Sequence, residues 1–227
     1  MIYAVIAAGG IGSRMGADKP KQYIEIGGKA IIRHTAEKFL SCDRIDKVIV
    51  LCPEDWVDYT SEIFLGTDII VIPGGDTRNE TLMRAIDYIE STDGLSEGTY
   101  LVTHDAVRPF VTSEIISDNI DAMLRYGATG TVIPATDTVF QSINGQVIDS
   151  IPDRSELYQA QTPQCFGALR LRELYESLSD EDKGILTDGC KIYLLNGFDV
   201  HLVKGHVSNI KITYPHDLIV AEAILKA

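Results

Sequence analysis

Very little in this sequence suits an extracellular or disulfide-built protein. Its four cysteines, Cys42, Cys52, Cys165 and Cys190, form no CxxC pair and are too scattered among 227 residues for a disulfide framework. That usage fits a reducing compartment and small, buried, apolar thiols. Positive charge is also scarce: 20 Lys and Arg stand against 33 Asp and Glu, a formal net charge of −13. Such a balance repels nucleic acid and anionic membrane, arguing against either as a partner while leaving room for a local basic pocket. No run approaches the ~18 consecutive apolar residues of a membrane span. The opening MIYAVIAAGG has neither the basic leader nor the length of a signal peptide, so a cytoplasmic location is expected. The remaining histidines, His34, His201, His206 and His216, make no zinc-ligand spacing with one another or with a cysteine. No repeat, linker or low-complexity run breaks the chain, which predicts one domain over residues 1–227.

What the sequence does contain is an alternation. Apolar, β-rich runs at Ile2–Ala7, Lys47–Leu51, Asp68–Ile72, Thr99–Val102, Gly130–Ile133 and Val200–Val203 lie between amphipathic stretches at Ala30–Leu40, Asn79–Ile89 and Ser113–Arg125. Short continuous apolar runs fit strands covered on both faces, and their alternation with helices predicts an α/β fold with a mostly parallel sheet and right-handed crossovers. A closing helix is expected over Pro215–Leu225. The texture changes at 138–151, where TVFQSI, Asn144-Gly145 and QVIDSI form a strong hairpin signal. It predicts an antiparallel arm at about 136–156 projecting from the sheet domain. A two-stranded ribbon is marginal alone, which predicts a homodimer in which the arm packs on a second subunit.

Chemistry concentrates at the ends of the expected strands. Ala7-Ala8-Gly9-Gly10-Ile11-Gly12-Ser13-Arg14-Met15-Gly16 follows the first strand and leads to Lys19-Pro20-Lys21-Gln22. Glycine amides at the carboxyl end of a parallel strand can close on phosphate oxygens, and Arg14 and Lys21 bring positive charge to the same loop, a combination suited to a triphosphate. The dinucleotide fingerprint misses by one residue, because Gly16 stands where position 15 would be required, and no GK[ST] ending supports a P-loop. His104-Asp105-Ala106-Val107-Arg108-Pro109 ends the strand at Thr99–Val102. A carboxylate there, beside a phosphate loop, makes Asp105 the candidate magnesium ligand. His104 is expected to orient the turn by hydrogen bonding, and Arg108 to brace the loop by pairing with a carboxylate. Gly74-Gly75-Asp76-Thr77-Arg78-Asn79-Glu80-Thr81 enters a helix. Two readings stay open for it: close approach to a flat base with Thr81 near an anion, or an ordinary glycine turn with a Thr77–Glu80 capping box. Lys211, in the β-rich run Asn209–Thr213, reads by itself as a surface strand lysine.

Taken together, AAGGIGSRMG…KPKQY, GGDTRNET, HDAVRP, QTPQCF and NIKIT, in this order and with these gaps, resemble the cytidylyltransferases that make CDP-alcohols. That group holds 2-C-methylerythritol 4-phosphate cytidylyltransferase and ribitol-5-phosphate cytidylyltransferase. The resemblance covers essentially the whole chain. It implies a Rossmann-like nucleotidyltransferase fold with a dimerising β-arm, and a Mg²⁺-dependent reaction in which CTP and a polyol phosphate give a CDP-polyol and pyrophosphate. Carried over by position, Ala7, Ala8, Gly9 and Gly12 would hold CTP, while Arg14, Lys21 and Lys211 would stabilise phosphate charge. Gly74, Gly75, Asp76 and Thr81 would surround cytosine and ribose, Ala106 would line the nucleotide, and Asp105 would bind magnesium. Thr138 and Arg154 would hold the polyol phosphate, one or both from the partner subunit. HDAVRPF at 104–110 and TDGCKI at 187–192 resemble the ribitol branch, whose product, CDP-ribitol, would serve teichoic acid or a related cell-surface polymer. Gly189 departs from the alanine of that branch.

Overall fold

Along the chain run β1 (Ile2–Ala7), the two-residue strands β2 (Glu25–Ile26) and β3 (Lys29–Ala30), α1 (Ile31–Leu40), β4 (Lys47–Cys52), α2 (Val57–Ile63), β5 (Ile70–Pro73) and α3 (Arg78–Asp93). They are followed by β6 (Tyr100–Asp105), α4 (Ser113–Tyr126), β7 (Ala128–Pro134), β8 (Tyr158–Gly167), α5 (Ala168–Glu176), α6 (Asp180–Gly184), α7 (Gly189–Leu195), β9 (His201–Lys204) and α8 (Pro215–Lys226). The structure is a computed structural model and describes residues 1–10, 15 and 19–226.

Seven of the strands form one sheet in the order β5-β4-β1-β6-β8-β7-β9. Strands β5, β4, β1 and β6 are mutually parallel, β8 runs antiparallel to both β6 and β7, and β9 is parallel to β7. Why β1 and most of β4 are apolar at successive positions follows from the packing. Ala4, Ile6, Val48 and Val50 pack with Ile32, Ala36, Phe39, Ile116 and Ile120 on the α1 and α4 face. Tyr3, Val5, Ile49 and Leu51 pack with Leu82, Ile86, Leu171 and Ile192 on the face of α3, α5 and α7. Covering both faces requires both alternating sets of side chains to be hydrophobic.

Two elements differ from expectation. β8, the longest strand at 10 residues, is not foreshadowed by an apolar run. Its residues Gln159, Gln161, Thr162, Pro163 and Gln164 are polar or lack a donor, and buried hydroxyls and amides hold this part of it, while Cys165 and Phe166 join the hydrophobic core. Thr103 Oγ1 donates to the Gln164 carbonyl (2.9 Å), Thr131 Oγ1 to the Pro163 carbonyl (2.6 Å), and Asn119 bridges Thr129 and Thr131. The run Asn209–Thr213 is not a strand but an irregular segment. It is held by the Ile212 amide on the Val107 carbonyl (2.9 Å) and by Asn209 Nδ2 on the Thr162 carbonyl (2.8 Å).

At 138–151 the chain folds back about Asn144-Gly145, with Gly145 at φ +71° and Asn144 Oδ1 accepting from the amides of Gln146 and Val147. A single antiparallel bridge, Gln141 to Ser150, joins its two limbs. Among the described residues no helix is long and apolar enough to cross a membrane.

Candidate active site

β1, β4, β5 and β6 are parallel and end in register, so their carboxyl ends share one edge, and the loops leaving them build a cleft of about 340 Å³. The ladder continues one residue beyond the strands. The Ala8 amide donates to the Leu51 carbonyl (2.8 Å), Ala106 to Ala7 (3.0 Å) and Gly74 to Cys52 (2.7 Å), which fixes the floor before the loops diverge. Ala7, Ala8, Gly9 and Ala106 line the cleft as expected, and Lys21 and Lys211 line it with them. Gln22 ties the Lys21 turn to the floor, its Nε2 donating to the Ala8 carbonyl (2.6 Å). Tyr23 anchors the same turn by stacking on Trp56 (4.7 Å between centroids) and by a hydroxyl contact with Thr60 Oγ1 (2.7 Å). Gly12 and Arg14 lie outside the described residues.

The segment entering α3 forms the capping box. Thr77 Oγ1 accepts from the Glu80 amide, and Glu80 Oε2 accepts from the amides of Thr77 and Asp76. Thr81 Oγ1 accepts from the Gly75 amide (3.0 Å) and donates to the Thr77 carbonyl (2.9 Å), so this hydroxyl builds the loop that carries Gly75 and Asp76. Gly75 has to be glycine. A Cβ there would lie 2.4 Å from the Glu80 Cβ and 3.0 Å from the Thr81 amide nitrogen, neither of which can yield without unwinding the cap. Gly75, Asp76 and Thr81 line the cleft, and Gly74 sits directly behind them against Thr81.

Asp105 is buried and gathers three cations. Oδ1 accepts from Arg78 Nη1, while Oδ2 is 2.9 Å from Lys211 Nζ and 3.4 Å from Arg108 Nε. Burial alone would raise its pKa, but the Arg78, Lys211 and Arg108 charges hold it well below the usual carboxylate range. Arg108 braces the loop as expected and reaches further, Nη1 donating to the Asn209 carbonyl (2.8 Å) and Nη2 to the Ala160 carbonyl (3.3 Å). This one guanidinium therefore ties the end of β6 to β8 and to the irregular segment bearing Lys211.

The expected magnesium site does not fit this arrangement. Both oxygens of Asp105 are engaged, and a dication bound to them would stand close to three side-chain cations. At about 4 Å and an effective dielectric near 20 each unit-charge pair repels by about 4 kcal/mol, and a dication doubles that. Among the described residues Asp76 is the only other carboxylate lining the cleft, and none of their His, Cys, Asp and Glu side chains form a group of three or more placed to hold an ion.

His104 orients the turn, with Nε2–H donating to the Arg108 carbonyl (3.1 Å) and the ring packed on Phe39. Burial pushes its pKa down to about 4, and the buried Nδ1 has no hydrogen-bond partner. An unfolded chain takes up this proton near pH 6.5, whereas the folded protein resists it until about pH 4. Stability is therefore lost as pH falls through that window, by roughly 3 kcal/mol at 1.36 kcal/mol per unit. Urea midpoints are expected to decline between pH 6.5 and pH 4, and to decline less in His104→Gln. Parallel pH curves for the two proteins would contradict this assignment.

Thr138 and Arg154, the expected polyol-phosphate ligands, are exposed on the arm and do not line this cleft within the chain. Arg154 Nη1 donates instead to the Thr136 carbonyl (3.0 Å). Sequence reasoning missed Arg78, the first residue of α3, whose ion pair with Asp105 spans 27 positions. A cation directly after a capping threonine was the available signal. Gly189 is explained by Phe166, since a Cβ at 189 would lie 2.8 Å from that buried ring.

A family model described as IspD, 2-C-methyl-D-erythritol 4-phosphate cytidylyltransferase, matches residues 2–227. Solved structures resemble the chain over its full length. The 4-diphosphocytidyl-2C-methyl-D-erythritol synthase of Anaerococcus prevotii is 30% identical with a TM-score of 0.82, the match covering 100% of this chain and 96% of that one. The 2-C-methyl-D-erythritol 4-phosphate cytidylyltransferase of Francisella tularensis is 28% identical with a TM-score of 0.83, covering 98% of each chain. That of Thermus thermophilus is 26% identical with a TM-score of 0.77, covering 100% of each.

Proposed function

The chain belongs to the IspD family of cytidylyltransferases, and from that premise we propose that it joins the cytidylyl group of CTP to the phosphate of a polyol phosphate and releases pyrophosphate. The observation that carries this reading is the convergence of Lys21, Lys211 and the Asp105-held Arg78 on a cleft floored by Ala7, Ala8 and Gly9. A phosphate oxygen of the acceptor attacks the α-phosphorus of CTP as the bond to the β-phosphate oxygen breaks. The nucleophile is already ionised at neutral pH, so no side chain has to remove a proton. Buried His104 is left its structural task. Lys21 and Lys211 stabilise charge on the phosphates by fixed position, and Arg14 of the glycine-rich sequence is assigned the same charge-stabilising role. Gly74, Gly75, Asp76, Thr81 and Ala106 hold the cytidine. Enzymes of the family generally depend on a divalent metal. With Asp105 occupied by cations, no step of this mechanism is routed through a magnesium ion on that carboxylate.

The acceptor phosphate is assigned to Thr138 and Arg154, presented by the arm of a partner subunit. Val139, Phe140, Ile143, Val147, Ile148 and Ile151 leave this arm with an exposed apolar surface that a second copy would cover. The whole chain, 1–227, then acts as one nucleotidyltransferase domain with a dimerisation arm at about 136–156.

For the acceptor's identity, the relatives' names support 2-C-methyl-D-erythritol 4-phosphate. A second reading, D-ribitol 5-phosphate, is supported by HDAVRPF at 104–110 and TDGCKI at 187–192. The two substrates differ in a hydroxyl-bearing carbon and a methyl group, and a pocket that pairs buried polar groups with one rejects the other by about a thousandfold or more. Both are to be offered with CTP and kcat/KM compared. Preference for methylerythritol phosphate supports the first reading, preference for ribitol phosphate the second, and transfer to neither overturns both.

A further inference from the structure

We infer that Asp105 is the anchor of a cation cluster rather than a ligand of magnesium, and that Arg78 is a positioning residue acting on Lys211 through it. The two carboxylate oxygens divide the work. Oδ1 belongs to Arg78, and Oδ2 is shared by Lys211 and Arg108. With Oδ1 held from the start of α3, the carboxylate cannot rotate, and Oδ2 stays directed at the two cations that come from the other side.

Arg78 is itself tightly placed. It emerges from the first position of a helix whose cap is complete, and its Nε is buried without an acceptor. Behind it, Asp188 adds a second negative charge while spending its own oxygens on Gln164 Nε2 (2.8 Å) and the Lys191 amide (3.1 Å). A buried guanidinium with an unpaired donor is costly to keep unless its charge is used. Here its use is to orient Asp105. Lys211 needs that help because it sits on an irregular segment without ladder hydrogen bonds, with its side chain 43% exposed. Anchored on Oδ2, the ammonium is held at the cleft wall where the phosphates of the proposed substrate would lie.

The inference rests on the CTP reading above, and the test separates the two. Mn²⁺ is titrated by electron paramagnetic resonance into the protein with CTP and no acceptor, for the unaltered chain and for Asp105→Asn. The anchor role predicts Mn²⁺ affinities of the two CTP complexes within about threefold, kcat reduced about a hundredfold, and no recovery at raised Mg²⁺. A larger loss of Mn²⁺ affinity, or rescue of turnover by excess Mg²⁺, would make Asp105 a metal ligand and overturn the inference. Should Asp105→Asn fail to fold, Arg78→Gln decides. It is expected to lower kcat at least about tenfold with KM for CTP nearly unchanged, and Arg78→Lys to restore part of the loss. Unaltered kcat in Arg78→Gln would remove Arg78 from the mechanism. Failure of the unaltered protein to bind CTP at all would instead sink the cytidylyltransferase reading.

Discussion

Lys21→Ala is expected to lower kcat/KM by at least about a hundredfold, the scale of losing one preorganised charge contact to a transition state. The size of the effect follows from how the lysine is held. It lies in a single 3-10 turn, Lys21–Tyr23, whose three residues are all buried. Gln22 pins that turn to the cleft floor and Tyr23 packs between Trp56 and Tyr59. The ammonium is consequently delivered to the cleft at little entropic cost and away from bulk water, where a charge contact is stronger than in solvent. Gln22 and Tyr23 keep their own anchors in the alanine variant, which is expected to remain folded by circular dichroism. Near-normal turnover in a folded Lys21→Ala protein would remove this residue from the chemistry.

Arg154→Ala is expected to produce a comparable loss in kcat/KM for the acceptor while leaving KM for CTP almost unchanged. A planar guanidinium grips a phosphate through two parallel hydrogen bonds, which an alanine cannot replace. Because Arg154 stands on the exposed arm and Lys21 in the cleft, the two variants should complement each other if the arm serves the partner's site. Random mixing of Lys21→Ala and Arg154→Ala protomers places one intact site in each mixed dimer. About a quarter of the original activity should then return. No recovery on mixing, with dimer exchange verified, would place Arg154 in the site of its own subunit.

How far the sequence announced this architecture depends on what holds each part together. β1, β4 and β6 are legible because both faces are covered by helices, which forces an unbroken apolar run that no loop requires. β8 is illegible for the opposite reason. It lies within the sheet yet is held by hydrogen bonds from the hydroxyls of Thr103 and Thr131, and its glutamines and proline carry no apolar period. The irregular path of Asn209–Thr213 was hidden likewise, because Ile210 and Ile212 alternate like strand residues while the segment is stapled by Arg108 and Asn209.

The glycine loop, Lys21 and Asp105 could be read from position alone, since they follow strand ends where the fold gathers its ligands. The partner of Asp105 could not. Arg78 and Asp105 belong to different loops, and only the sheet order that sets β6 beside β1 brings the start of α3 over that carboxylate. The cation cluster was hidden at the same point, because a lone acidic residue in sequence shows nothing of the three cations that surround it. Lys211, Thr138 and Arg154 owed their selection to family resemblance rather than to any local pattern.

Cytidylyl transfer to a polyol phosphate is tested by ³¹P NMR of a reaction containing CTP, Mg²⁺ and each candidate acceptor. The acceptor's phosphomonoester signal is expected to be replaced by a diphosphate diester pair, with one equivalent of pyrophosphate released for each product formed. Release of orthophosphate or CMP without such a pair, or CTP left intact in the presence of both acceptors, would contradict it.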